Sequence, residues 1–155
     1  MSEFLKIKKG NMLEIKKILV ALAGPLTNFI IIIITSNINI ELFKALIIIY
    51  TNFLIMIFNL LPIYPLDGGR ILKGILHINF GIQKSEFYTN IISKITVAII
   101  TILSSVLILY VHNIAIALID MYLWYLLIKE DIIYKKREKI LENINKKTLE
   151  NETNS

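Results

Sequence analysis

The stretch NLLPIYPLDGGR, residues 59 to 70, sets one carboxylate, Asp67, between Pro65 and the pair Gly68-Gly69. It follows directly on LFKALIIIYTNFLIMIF, an apolar run long enough to cross a membrane. Pro62 and Pro65 lack a backbone N–H and disfavour helix at the residue before each. Gly68 and Gly69 accept backbone shapes that other residues avoid. The pattern predicts an unwound chain from Asn59 to Gly69 at the edge of a membrane helix. Such backbone is tolerated at membrane depth where it is buried in protein or lines a wet cavity. An ionisable group there is, by default, a candidate for a functional site. The plainer reading of the same residues is an exit turn, in which Asp67 caps a short interfacial helix and pairs with Arg70.

Other residues with chemical potential are few. AGPLTN, residues 23 to 28, predicts a kink at Gly24-Pro25 with Asn28 one turn beyond. Asn28 either bonds to a neighbouring helix or reaches the loop around Asp67. Asp120 is the remaining acid inside an apolar run; it reads as a bond to a neighbouring helix, with a wet path as the alternative. The only histidines are His77 and His112. There is no cysteine, which excludes disulfides, thiol catalysis and cysteine-ligated metals.

The elements that must position these residues follow from hydropathy. Hydrophobic residues make up 55% of the 155-residue chain, and the 19% that are charged are clustered between apolar runs, the pattern of an integral membrane protein. The expected fold is all-α and polytopic, with about four spans at 18–34, 42–61, 95–111 and 113–128, the second broken at the Pro/Gly motif. Lone strands would leave backbone polar groups unpaired in lipid. Lysine and arginine concentrate before the first span, between the second and third, and after the fourth. The positive-inside rule then places both termini and the 62–94 connection in the cytoplasm. The net charge of +5 flanks apolar runs and forms no single basic face, which suits anionic lipid headgroups and argues against nucleic acid. FLKIKKGNMLEIK alternates apolar and polar residues around Gly10-Asn11, the pattern of a short β-hairpin or of a solvated connector. Residues 1–130 form the expected membrane domain, and 131–155 a charged cytoplasmic tail with an amphipathic helix that frays into NKKTLENETNS.

AGPLTN followed by FNLLPIYPLDGGR resembles the site-2 protease family of intramembrane zinc metalloproteases, peptidase family M50, and most of all its bacterial sporulation branch, which processes a membrane-tethered sigma-factor precursor. The likeness runs over roughly residues 10 to 130, and the proline-rich DGGR motif is its most specific part. It implies that Asp67 is the third ligand of a Zn2+ ion, and that Asn28 and Asn59 stand near the catalytic centre or substrate path. It further implies that Pro62, Pro65, Gly68 and Gly69 shape that site or bind substrate. It also implies a hairpin before the AGP helix that pairs with an extended, membrane-tethered protein substrate.

The chain departs from the family at its chemical centre. The family's other ligands come from an HExxH helix, whose histidines stand one turn apart on the metal while the glutamate serves as general base. No HExxH occurs in this chain. The orientation rule puts His77 and His112 on opposite sides of a core about 30 Å thick, so they cannot share one ion with Asp67. The expectation is an incomplete protease, inactive as this chain alone and binding no zinc by itself, whose HExxH lies upstream or on a separate polypeptide. The competing expectations are a non-catalytic pseudoprotease or membrane binding module, and a small transporter component using Asp67 and Asp120.

Overall fold

The computed structural model describes residues 2–38, 41–111 and 113–153. They form five helices and, among the described residues, no strand: α1 (Ser2–Asn37), α2 (Leu42–Asn59), α3 (Asp67–Phe80), α4 (Ile82–Val111) and α5 (Ile114–Thr153). In chain order, α1 packs against α2 and α3, α3 against α4, and α4 against α5.

Three stretches are long and apolar enough to cross a membrane: Gly10–Asn37, Leu42–Asn59 and Ile82–Tyr110. The first three expected spans fall within or across these. The fourth is the start of α5, whose apolar run is interrupted by Asp120 and ends at Ile128 before Lys129, Glu130 and Asp131. At 1.5 Å per residue that run covers about 22 Å, short of a hydrocarbon core about 30 Å thick. Helix α5 then continues unbroken to Thr153, so the polar end expected to fray is helical through that residue.

The expected N-terminal hairpin is absent; residues 2–37 are one helix. The alternation around Gly10-Asn11 is only a local coincidence with period two. From Glu14 onward the spacing that matters is three and four, because Glu14 meets Lys17 within one turn and Ile18 packs against Gly74 of α3. A helix satisfies its backbone groups within itself, which a lone hairpin running into a membrane span does not. Pro25 lies inside α1 and is buried; lacking an N–H, it leaves the Ala21 carbonyl without its usual donor.

The core sits where the break between α2 and α3 meets α4 and α5. Ile63, in the break, is fully buried with Val97 of α4 and with Leu123 and Leu127 of α5. Phe58, Leu61, Leu66 and Ile100 pack around them. Helix α2, by contrast, buries none of its residues.

Candidate functional site

Helix α2 ends at Asn59, and the chain stays non-helical from Leu60 to Leu66. Pro62 supplies the stop, since it disfavours helix at Leu61. The Tyr64–Pro65 peptide is cis. Short local bonds hold the segment: the Ile63 N–H donates to the Leu61 carbonyl at 2.7 Å, and the Leu66 N–H to the Ile63 carbonyl at 2.8 Å. Ser93 of α4 completes it. Its hydroxyl accepts the Tyr64 N–H at 3.1 Å and donates to the Pro62 carbonyl at 3.4 Å. The break is therefore shut against two helices and has definite shape.

The unwound stretch is shorter than expected. Asp67, Gly68 and Gly69 form the first turn of α3. The glycines are needed for close approach. A Cβ on residue 68 would stand 2.1 Å from the Leu60 carbonyl oxygen, and one on residue 69 would stand 2.3 Å from the Tyr64 nitrogen. The first turn of α3 thus packs backbone to backbone on the segment that precedes it.

This packing carries Asp67 across to α1. Its Oδ2 lies 2.6 Å from the point where a Cβ on residue 24 would stand, so the AGP helix and the DGG motif meet at Gly24 and Asp67. Arg70 is 3.9 Å from Asp67 Oδ1, one turn on. The plainer reading of a turn carboxylate paired with arginine thus holds in part: Asp67 opens α3, where the positive helix end favours an acid. It does so while facing α1. Asn28 lies one turn beyond Gly24 on α1, and Asn59 is the last residue of α2; both are half-buried.

The remaining candidate ligands do not converge. His77 is ten residues beyond Asp67 on the same helix, about 15 Å along its axis. Its Nδ1 stands 3.2 Å from Glu14 of α1, whose carboxylate also receives the Lys17 ammonium at 2.7 Å. His112 falls outside the described residues. Among the described residues no three His, Cys, Asp or Glu side chains group as a metal site. Asp67 is one carboxylate donor of the kind zinc accepts; a four-coordinate centre needs partners that these residues do not bring to it.

Asp120 accepts a hydrogen bond from the Thr101 hydroxyl at 2.9 Å, and Trp124 Nε1 donates to the same hydroxyl at 2.9 Å. It ties α5 to α4, a structural use of an intramembrane acid.

Two clusters were not foreseen from sequence. Glu86 of α4 binds Lys73 of α3 at 2.9 Å and also the Arg137 guanidinium of α5. The Lys73 ammonium lies 4.8 Å from the centre of the Tyr64 ring, so this cluster touches the break as well. Farther out, Asp131 accepts from Lys94, Lys135 and Asn90. Hydrogen bonds from Lys94 and then Lys135 hold its carboxyl well below the usual carboxylate range. Ser93 was also missed, although Ser85, Thr89, Ser93 and Val97 recur every four residues and are all buried. That stripe of small residues marks the face of α4 that admits close neighbours.

Comparison with known proteins points to the same stretch of chain. Residues 34–103, which hold α2, the break, α3 and much of α4, match Peptidase family M50. The chain is 34% identical over 140 residues to Zinc metalloprotease MJ0392 of Methanocaldococcus jannaschii, an alignment covering 84% of this chain and 39% of that protein. The chain thus spans well under half the length of the curated relative it matches. No solved structure gives a significant match. Long apolar helices together with these likenesses support an integral membrane protein, and both likenesses point to peptidase family M50, the site-2 proteases.

Proposed function

We propose that this chain supplies the carboxylate-bearing part of an intramembrane zinc metalloprotease, with Asp67 as one metal ligand. The observation that carries the reading is the meeting of Gly24 and Asp67, which brings the AGP and DGG motifs together at a break held in place by Ser93. The two histidines and the general base of an HExxH helix come from polypeptide outside these 155 residues, joined to it or separate. The chain alone is inactive and holds no zinc of its own. With the start of α5 counted as a short fourth crossing, both termini face the cytoplasm of a bacterial cell, as the basic connections suggest. The substrate is a membrane-tethered protein, and the sporulation likeness points to a sigma-factor precursor. Asn28 and Asn59, half-buried beside the two motifs, line its path. Residues 1–130 act as the membrane domain, and the charged end of α5 projects from it.

The test co-expresses the chain with the N-terminal segment of the archaeal relative and a tagged single-pass substrate, reading cleavage and co-purified zinc. Cleavage and zinc that both require the added segment, and that Asp67→Ala abolishes, support the proposal. Cleavage by the 155-residue chain alone, or zinc retained undiminished in Asp67→Ala, would overturn it. A folded complex that binds substrate but never cleaves it or takes up zinc also overturns it, and favours the pseudoprotease.

A further inference from the structure

A groove of about 620 Å³ lies between the basic stretch of α1, the face of α3 and the start of the charged part of α5. Lys16 and Lys17 line it from α1, Arg70 and Lys73 from α3, and Arg137 from α5. The acids in its lining are Glu14 and Glu86. Counting lysine, arginine and glutamate alone, five cations against two carboxylates leave an excess of three positive charges. Glu86 is engaged by Lys73 and Arg137, and Glu14 by Lys17 and His77. Lys16 has no ion-pair partner among the described residues. Arg70 reaches only the distant edge of Asp67 and is 54% exposed in its side chain.

The walls beside these cations are apolar. Leu13, Val20 and Ile82 line the same groove and are 52%, 68% and 58% exposed. Leu13 and Val20 lie within the apolar stretch Gly10–Asn37, so the greasy wall runs on along a membrane-crossing helix. Cations at one end and an apolar wall continuing into the bilayer match a phospholipid, with phosphate among the lysines and arginines and acyl chain along α1. An acidic peptide would satisfy the cations and leave Leu13 and Val20 against water.

We propose that this groove is a binding site for an anionic phospholipid of the leaflet on the basic side of the protein. The proposal rests on the chain's being embedded in a membrane and is independent of whether Asp67 ever holds zinc. The lipid bridges α1 and α3, the two helices that meet at Gly24 and Asp67.

The experiment is native mass spectrometry of the full chain in neutral detergent, titrated with phosphatidylglycerol or phosphatidylcholine of the same acyl length. Phosphatidylglycerol should be retained preferentially, and Lys16→Gln with Arg70→Gln should weaken it by about 10- to 30-fold. The charge-preserving pair Lys16→Arg and Arg70→Lys should keep binding. Circular dichroism establishes that each variant is folded. Should the double variant fail to fold, Lys16→Gln alone, on an exposed position of α1, should still weaken phosphatidylglycerol by about fivefold. Equal retention of both lipids, or wild-type binding in the folded glutamine variants, overturns the proposal. So does a Glu decapeptide whose binding depends on Lys16 and Arg70 while phosphatidylglycerol does not bind.

Discussion

Gly24 and Asp67 stand so close that a side chain on residue 24 would have to displace the carboxylate: the Asp67 Oδ2 is 2.6 Å from where its Cβ would be. The obstructing atom is the end of a short side chain, so a methyl group there turns the carboxylate aside and leaves the helices in contact. The rotation costs about 0.5–1.5 kcal/mol, while Gly→Ala inside a helix returns about 1 kcal/mol. Gly24→Ala is therefore expected to leave thermal stability in detergent nearly unchanged. In the co-expression assay, the proposed role of Asp67 requires the same variant to lose at least about tenfold in cleavage, because a displaced carboxylate forfeits its geometry. Unchanged cleavage would mean that Asp67 does not act at this place.

Gly69 meets backbone, which cannot rotate away. A Cβ there would lie 2.3 Å from the Tyr64 nitrogen and 2.5 Å from the Ile63 carbonyl oxygen. Gly69→Ala should destabilise the fold by about 1–3 kcal/mol, the cost of overpacking a closed site. Gly10→Ala is the control, since a Cβ on residue 10 meets nothing within 4 Å. Reversible unfolding in SDS should separate the two variants, and equal midpoints would contradict the tight first turn of α3.

The two prolines made the break legible in the sequence, because their effect on the preceding residue is local. Residue types leave open where the helix resumes, at Asp67 in the plainer reading or beyond Gly69. Asp67, Gly68 and Gly69 look like loop residues by type, yet packing on Leu60 and Tyr64 draws them into the first turn of α3. The hairpin misreading has a similar cause: alternation at Leu13 and Ile15 is local, whereas Glu14 and Ile18 are committed by contacts with His77 and Gly74 on another helix. The carboxylate itself could be read from its setting between Pro65 and Gly68. Its meeting with Gly24 depends on how α1 and α3 pack, which no local pattern encodes.

Ser93 is the clearest case of a residue whose role only the fold reveals. It serves the Tyr64 N–H and the Pro62 carbonyl from 29 and 31 residues away. Ser93→Ala keeps the small volume and leaves both part-buried groups without that partner, a loss of about 1 kcal/mol. Ser105→Ala, an exposed α4 serine whose hydroxyl bonds only to Thr101 of its own helix, should change little. Unfolding in SDS again reports the difference. If Ser93→Ala were as stable as the parent, the break would have to be held by Ile63 and its neighbours alone.

Asp131 makes the docking of α5 on α4 sensitive to acid. Its carboxyl is held well below its ordinary value of 3.8, first by Lys94 and then by Lys135. A carboxylate whose folded pKa is depressed adds stability that is present above the unfolded value and lost as pH falls through the folded one. The contribution of this site should therefore be complete near neutral pH and begin to fade only as pH drops past about 4. The chain contains no cysteine, so a pair introduced at Ile91 and Glu130 can report the α4–α5 distance by spin labelling without background. The distance distribution should stay narrow from pH 7 to about pH 4 and broaden only on stronger acidification, as pH approaches the depressed folded value. Asp131→Asn, which loses the charge that draws in Lys94 and Lys135, should already show the broader distribution at pH 7 and change less on acidification. A parent protein whose distribution at pH 7 is no narrower than that of Asp131→Asn would show that Asp131 does not fasten the two helices.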